Sequence, residues 1–150
     1  MTDLLGAAEP ATGDLLGGRY HLIERVGAGA MGRVYRARDE ILGRDVAIKL
    51  FHAEDSSEAD AARKVSEARV LAALDHPSLV TLYDAHVVAG DSAFLVMEYV
   101  EGTTLRHRLD EGAMPPLEVA RMMRDLAAAL AVVHGAGIVH RDVKPSNVLL

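Results

Sequence analysis

Eight residues near the end of the sequence bring together functional groups that could carry out a chemical reaction. Residues 140–147 hold a carboxylate at Asp142, a cation at Lys144 and a carboxamide at Asn147. Residues two apart in an extended chain point the same way, and Pro145 restricts the loop that leads to Asn147. A carboxylate base, a cation and a metal-coordinating amide are the groups that phosphoryl transfer from ATP needs. A chance charged loop on the surface is the alternative interpretation.

A run of spaced glycines lies far upstream of this loop. Gly27, Gly29 and Gly32 form a G-x-G-x-x-G pattern after the strand-like residues 20–26. The pattern is weak alone because dinucleotide-binding folds share it, but in those folds the glycines open a helix. Residues 33–38 have the period of a strand instead. This predicts a hairpin whose tip can lay backbone N–H groups over phosphates. A plain hairpin turn and a Rossmann oxidoreductase are the alternatives.

Lys49 and Glu67 are two further charged residues, the first in an apolar run and the second in the middle of a segment with helical spacing. Lys49 interrupts the run 45–51, which predicts a third strand, and a lysine in a strand usually points to solvent. Glu67 lies within residues 57–74, whose apolar side chains follow helical spacing. Two more apolar runs, 79–88 and 92–99, predict strands, whereas 103–111 and 117–134 predict helices.

Together these motifs resemble the protein kinases, especially actinobacterial-type serine/threonine kinases of the eukaryotic-like type. Residues 140–147 match the pattern H-R-D-x-x-x-x-N, and residues 46–49 match V-A-I-K. The lysine two residues after Asp142 is similar to the serine/threonine form. The resemblance covers residues 20–150 and implies an α+β fold. We therefore expect a five-stranded antiparallel N-lobe with a C-helix, followed by the first helices of an incomplete helical C-lobe.

The domain boundaries follow from this resemblance. We expect a flexible leader over residues 1–19, because glycines and scattered acids dominate it. The kinase domain would then cover 20–150, with an N-lobe at 20–97, a hinge at 98–102 and a partial C-lobe at 103–150. No Asp-Phe-Gly follows Asn147 in the sequence. The chain is therefore expected to be truncated after the catalytic loop, with doubtful activity by itself.

The resemblance also implies a role for each candidate residue. Asp142 accepts or orients the substrate hydroxyl proton, Lys144 steadies the γ-phosphate, and Asn147 is the Mg2+ ligand. Lys49, held by Glu67, orients the α- and β-phosphates of ATP. The implied nucleotide contacts are Val26, Gly27, Ala28, Gly29, Ala30, Met31, Gly32, Arg33, Val34, Ala47, Lys49, Met97, Glu98, Val100 and Leu149.

Within that set, the hinge and the helix acid each have a simpler structural interpretation. The backbone groups of Glu98 and Val100 would bind adenine, with Met97 as the gatekeeper. Met97 as an ordinary core residue is equally consistent with its chemistry, and a solvated acid on a helix face is the alternative for Glu67.

The composition of the chain limits the classes of partner that it is expected to bind. The 150 residues carry a net charge of −6, which argues against nucleic acid, and no cysteine, which excludes disulfides. No apolar run is long enough to span a membrane. We expect ATP, Mg2+ and a protein substrate with serine or threonine as partners, with a kinase homodimer left open. The expected location is cytoplasmic, with a tether through a C-terminal segment outside this chain left open. The alternative function is a non-catalytic module that binds nucleotide or another kinase.

Overall fold

The computed structural model describes residues 10–29, 32–51, 66, 70, 72–88 and 92–150. The chain divides into two compact units. The first consists of Met1–Ala73 and Thr81–Tyr99, and the second of Leu74–Val80 and Val100–Leu150. A boundary between the units thus falls between Tyr99 and Val100, inside the hinge predicted at 98–102.

The first unit is built on an antiparallel sheet. Its six strands lie in the order β1-β2-β3-β4-β6-β5. Their bounds are β1 Leu15–Leu16, β2 Tyr20–Gly29, β3 Gly32–Asp39, β4 Arg44–Leu50, β5 Leu82–Val88 and β6 Ser92–Glu98. All five predicted strands are confirmed, although β5 starts three residues later than expected.

The register of the three central strands gives the sheet two different faces. Tyr35 lies opposite Ile48, which lies opposite Val96, and all three are buried. We call this side the core face, and it also carries Tyr20, Leu22, Ala37, Val46 and Phe94. Because successive side chains in a strand point to opposite faces, the intervening residues form the other side. We call that side the lysine face, and it carries Val34, Arg36, Ala47, Lys49, Leu95 and Met97.

The glycine-rich segment is part of the β2–β3 hairpin. Gly27 pairs with Val34, and the ladder closes on the pair Gly29–Gly32. The element after Gly32 is a strand, as the sequence predicts. A Rossmann phosphate loop, in which these glycines would open a helix, is therefore excluded.

The prediction of a flexible leader was wrong for its last part. Leu15 and Leu16 form the edge strand β1 against β2, and Leu16 is buried in the core. Gly17 and Gly18 both have positive φ, at 58° and 65°, as a primed hairpin turn requires. Gly17 and Gly18 therefore form a hairpin turn, although the composition of the segment suggested flexibility. The burial of Leu16 stabilises the pairing of β1 with β2.

The helix predicted at 57–74 lies mostly outside the described residues. Ser66, Val70 and Ala72 within it are helical. Glu67, Ala30 and Met31 are candidate site residues outside the described part of the chain.

Two predicted helices of the second unit are confirmed. They are α1 Leu105–Asp110 and α2 Pro116–Gly135. The Thr104 side-chain oxygen caps α1 by accepting a hydrogen bond from the His107 backbone N–H at 3.2 Å. Pro116 opens α2, a position where the missing N–H of proline costs nothing. In the part of the chain that the structure describes, no helix combines the length and apolarity needed to cross a membrane.

A buried carboxylate fixes the turns at one end of the sheet. Asp39 is 1% exposed and accepts two hydrogen bonds from the Arg19 guanidinium, at 2.7 and 2.9 Å. It also accepts the backbone N–H groups of Ile41 and Leu42, at 3.0 and 3.1 Å. The bonds from Arg19 are the main reason that the pKa of Asp39 is lowered from 3.8 to about 2. One side chain thus joins the β1–β2 turn to the β3–β4 turn.

We predict that Asp39→Asn destabilises the protein by about 2 kcal/mol at neutral pH, the free energy that corresponds to this pKa shift. The folded-state pKa lies below the unfolded value, so the stabilisation is present above pH 3.8 and is lost as the pH falls towards 2. Urea unfolding at pH 7 and at pH 2.5 measures both effects. The control is Glu40→Gln, which changes an exposed neighbouring carboxylate. An equal loss for both variants at pH 7 would contradict the prediction.

Candidate active site

The lysine face collects five of the predicted nucleotide contacts into neighbouring positions. Val34 on β3 lies opposite Lys49 on β4, and Ala47 lies opposite Met97 on β6. Gly27 on β2 lies opposite Val34. Side chains directly opposite one another in antiparallel strands lie about 5 Å apart on the same face. These residues therefore form one continuous patch, with small or apolar side chains around a single ammonium group.

Ala28 and Arg33, two other predicted nucleotide contacts in the hairpin, have side chains that do not lie on the lysine face. Arg33 pairs with Leu50, and Ala28 pairs with Arg33. Alternation places both side chains on the core face, so these residues could meet a phosphate through their backbone groups. Val26 falls where the β2–β3 register shifts between Arg25 and Gly27, and it is 49% exposed. Such bulges re-aim side chains relative to the regular strand.

Lys49 is half-buried on the lysine face. Its Nζ atom lies 5.6 Å from the centroid of the Phe51 ring, within the range of a cation–π contact. The predicted pairing of Lys49 with Glu67 concerns a residue outside the described part of the chain and stays a prediction.

The strand that leads into the predicted hinge is held at its end. The Glu98 backbone N–H donates to the Thr81 carbonyl oxygen at 2.8 Å, and the Thr81 N–H donates to the Glu98 carboxylate at 3.2 Å. Met97, one residue earlier, is half-buried and lies between Ala47 and Leu82 in the sheet. Val100 is half-buried in the second unit.

The three polar residues of the loop at 140–147 converge in the second unit. Asp142 Oδ1 lies 2.9 Å from Lys144 Nζ. Asn147 Nδ2 donates to Asp142 Oδ2 and to the Asp142 carbonyl oxygen, both at 2.8 Å. The Asp142 N–H donates to His140 Nδ1 at 3.3 Å. The predicted catalytic carboxylate, cation and amide are thus in direct contact.

The backbone of this loop is held in an unusual conformation. Arg141 has a φ of 62°, and it is the one non-glycine residue with positive φ among those described. Such left-handed residues cost about 1–2 kcal/mol and persist where the surroundings hold them in place. A 3₁₀ turn at Pro145–Asn147 follows.

Backbone hydrogen bonds tie the end of the loop to the start of α1. Leu105 donates to the Val148 carbonyl oxygen at 2.8 Å, and Leu150 donates to the Thr103 carbonyl oxygen at 2.9 Å. Leu149, a predicted adenine contact, forms the bridge with Thr104 between these two bonds and is 42% exposed. The chain that directly follows Asn147 is therefore fixed.

One oxygen of the loop, that of the Asn147 amide, is of the kind that Mg2+ binds. Both hydrogens of an amide nitrogen can be donated, and Asn147 Nδ2 directs them at two oxygens of Asp142. This pair of hydrogen bonds assigns the orientation of the amide and directs Oδ1 away from the two Asp142 oxygens. Mg2+ prefers such oxygen ligands and usually takes few of them from the protein.

Sequence reasoning missed Arg36, which also lies on the lysine face. Arg36 is directly opposite Ala47, and its guanidinium contacts Asp45, Glu24 and the Tyr99 ring. The available signal was the spacing of two residues from Val34, which puts both side chains on one face of the strand.

Comparisons with known proteins identify the class of protein to which this chain belongs. The protein kinase domain profile matches residues 20–150. The chain belongs to the protein kinase family, and the sequence-based prediction of that family is confirmed.

The chain is similar to curated bacterial serine/threonine-protein kinases. The chain is 42% identical to pkn2 of Myxococcus xanthus over 137 residues, covering 91% of this chain and 16% of that protein. It is 42% identical to PknB of Mycobacterium leprae over 146 residues, covering 90% of this chain and 22% of that protein. The chain thus spans less than a quarter of the length of either relative.

A solved structure shows the same fold. The kinase domain of PknI from M. tuberculosis superimposes with a TM-score of 0.82 at 27% identity, covering 95% of this chain and 57% of that one. The predicted α+β kinase fold is confirmed, and β1 makes the sheet one strand larger than expected.

Gly32 tolerates substitution less well than Gly27 on the other strand of the hairpin. Its φ is 129°, and a Cβ there would collide with the Leu50 backbone. A Cβ at Gly27 would meet Val34 at an ordinary 3.7 Å. We predict that Gly32→Ala destabilises the protein by about 1–3 kcal/mol, whereas Gly27→Ala changes stability by less than about 1 kcal/mol.

Thermal and urea unfolding of the two variants measure this difference. Gly32→Ala should also weaken ATP binding, since the displaced Leu50 directly follows Lys49. Equal stability of the two variants would show that the close approach of β3 to Leu50 is absent in solution.

Proposed function

We propose that the chain supplies the nucleotide-binding and catalytic-loop parts of an enzyme that transfers the γ-phosphate of ATP to serine or threonine hydroxyls of proteins. The observation that carries the proposal is the carboxylate of Asp142, contacted at one oxygen by Lys144 and at the other by Asn147. The serine/threonine specificity is that of the relatives, by their names.

The loop geometry supports a division of labour among the three residues. Asp142 would accept or orient the proton of the attacking hydroxyl, and its side chain is 28% exposed, as contact with a substrate requires. Lys144, with 51% of its side chain exposed, would steady the charge that develops on the γ-phosphate. Asn147 would hold Mg2+ through Oδ1, and the bound ion neutralises charge on the phosphates.

The lysine face supports the nucleotide half of the proposal. Val34, Ala47 and Met97 would pack against adenine, and Lys49 would pair with the α- and β-phosphates. The hairpin glycines let backbone N–H groups approach phosphate oxygens, because no Cβ intervenes. Catalysis of this kind depends on positioning and charge stabilisation more than on the basicity of one group. A protein substrate is part of the proposal, whereas a homodimer, a cytoplasmic location and a tether outside this chain stay predictions.

The test of the reaction uses the full-length natural protein. We predict that Asp142→Asn lowers the rate of phosphate transfer from Mg-ATP to protein serine and threonine by about 100-fold or more, because it removes the proton acceptor. ATP binding, measured by calorimetry, should change little. The matched control is Asp110→Asn, which changes an exposed aspartate of α1 in the same unit.

The outcomes separate the two functions considered. Undiminished transfer by Asp142→Asn would sink the catalytic assignment of the loop. ATP binding by the natural protein without any transfer would favour the non-catalytic nucleotide-binding module instead. Absence of both binding and transfer would reject both.

A further inference from the structure

Arg36 makes three different contacts on the lysine face. Its Nε and NH2 groups donate to Asp45 Oδ2 at 2.9 and 2.6 Å. Its NH1 group lies 3.4 Å from Glu24 Oε1 on β2. Its guanidinium carbon lies 5.0 Å from the centroid of the Tyr99 ring. One planar cation thus joins β2, β3, β4 and the residue that follows β6.

Tyr99 is the residue between the two proposed adenine contacts in the chain. Glu98 precedes it and Val100 follows it. A guanidinium at 5.0 Å from an aromatic centroid is attracted by the negative face of the ring. Because two χ angles define the position of a tyrosine ring relative to its backbone, fixing the ring restricts the backbone on either side.

Through Glu24, the same cation also contacts the β2–β3 hairpin that carries the glycines. Glu24 lies on β2 opposite Arg36, three residues before Gly27. The strand between them contains the register shift at Val26, where the regular ladder of backbone hydrogen bonds is interrupted. A side-chain contact at Glu24 therefore supports the hairpin beside an interruption of the backbone ladder.

Arg38 offers a comparison within the same strand. Its NH1 group donates to Asp45 Oδ1 at 2.9 Å, so Arg36 and Arg38 share one carboxylate. Their hydrogen bonds, with that of Arg36 first, lower the pKa of Asp45. Arg38 is the more exposed of the two, with 46% of its side chain accessible against 32% for Arg36. The two arginines thus differ in the contacts of Arg36 with Glu24 and Tyr99, and in the second hydrogen bond that Arg36 donates to Asp45.

We infer that Arg36 is a positioning residue for ATP binding, which holds the hinge residue Tyr99 and the glycine hairpin in fixed relation to β4. The inference rests on the proposed function, since it assigns a role within the nucleotide site of that function. Arg36 acts through Tyr99 and Glu24 and needs no contact of its own with the nucleotide.

The experiment compares ATP affinity in matched variants of the full-length natural protein by titration calorimetry with Mg-ATP. Arg36→Met keeps the aliphatic stem but removes the cation, and we predict that it raises the Kd for ATP about three- to tenfold. Arg38→Met removes the other arginine from Asp45 and should change the Kd less than twofold. Thermal unfolding of both variants shows whether they are equally folded.

Variants of Tyr99 test the contact between Arg36 and Tyr99 by changing the aromatic partner. Tyr99→Leu removes the ring, and its loss of affinity should exceed that of Tyr99→Phe, which keeps it. Arg36 and Tyr99 act on ATP binding through the same contact, so losing both should cost no more than losing one. The double variant with Arg36→Met and Tyr99→Leu should therefore have about the same Kd for ATP as the single variant with the higher Kd. Should Arg36→Met fail to fold, the comparison of Tyr99→Leu with Tyr99→Phe decides alone.

The outcomes separate this inference from the proposed function. Equal Kd values for Arg36→Met and Arg38→Met, independent effects at positions 36 and 99, or equal losses for the two Tyr99 variants would overturn the role of Arg36. A natural protein that binds no ATP would instead overturn the proposed function itself.

Discussion

The register of β3, β4 and β6 is the constraint on which the first unit depends. It sets Tyr35, Ile48 and Val96 in one buried row, and it leaves Lys49 on the opposite face. A slip of one residue would exchange the two faces of a strand. The buried row therefore fixes the lysine face as well, since moving Lys49 would also move Ile48 out of the core. Stability and the placement of the candidate nucleotide contacts come from the same set of hydrogen bonds.

The loop at 140–147 is held by other contacts, because it lies outside the six-stranded sheet. Asn147 donates to both the side chain and the backbone of Asp142, and this closes the loop on itself. The bonds from Leu105 to Val148 and from Leu150 to Thr103 then fasten its end to the start of α1. The left-handed Arg141 directly precedes Asp142 in this closed loop, and residues in such conformations are common at functional sites. The loop thus has a defined conformation held by specific hydrogen bonds. This argues against the alternative interpretation of it as a chance charged loop on the surface.

Much of this architecture could be predicted from the sequence, and the errors have identifiable causes. The strands around Gly32 and Lys49 have a clear period, and the loop around Asp142 matches a pattern with fixed spacing. The strand at Leu15–Leu16 was missed because glycine content suggested flexibility, whereas Gly17 and Gly18 form the turn that starts the hairpin. Arg36 was missed because its role depends on cross-strand neighbours, Glu24 and Asp45, that a single strand pattern does not contain.

Two aspartates show why position, more than residue type, separates structural from chemical groups. Asp39 and Asp142 each lie beside a cation, at 2.7 and 2.9 Å. Asp39 is 1% exposed, and its oxygens accept bonds from Arg19 and from the backbone of the turn. A carboxylate surrounded in this way has no access to a substrate, so it can only stabilise the fold. Asp142 keeps 28% of its side chain exposed in a loop fastened at its end. Of the two, Asp142 is therefore the carboxylate whose exposure suits the proposed role in proton transfer.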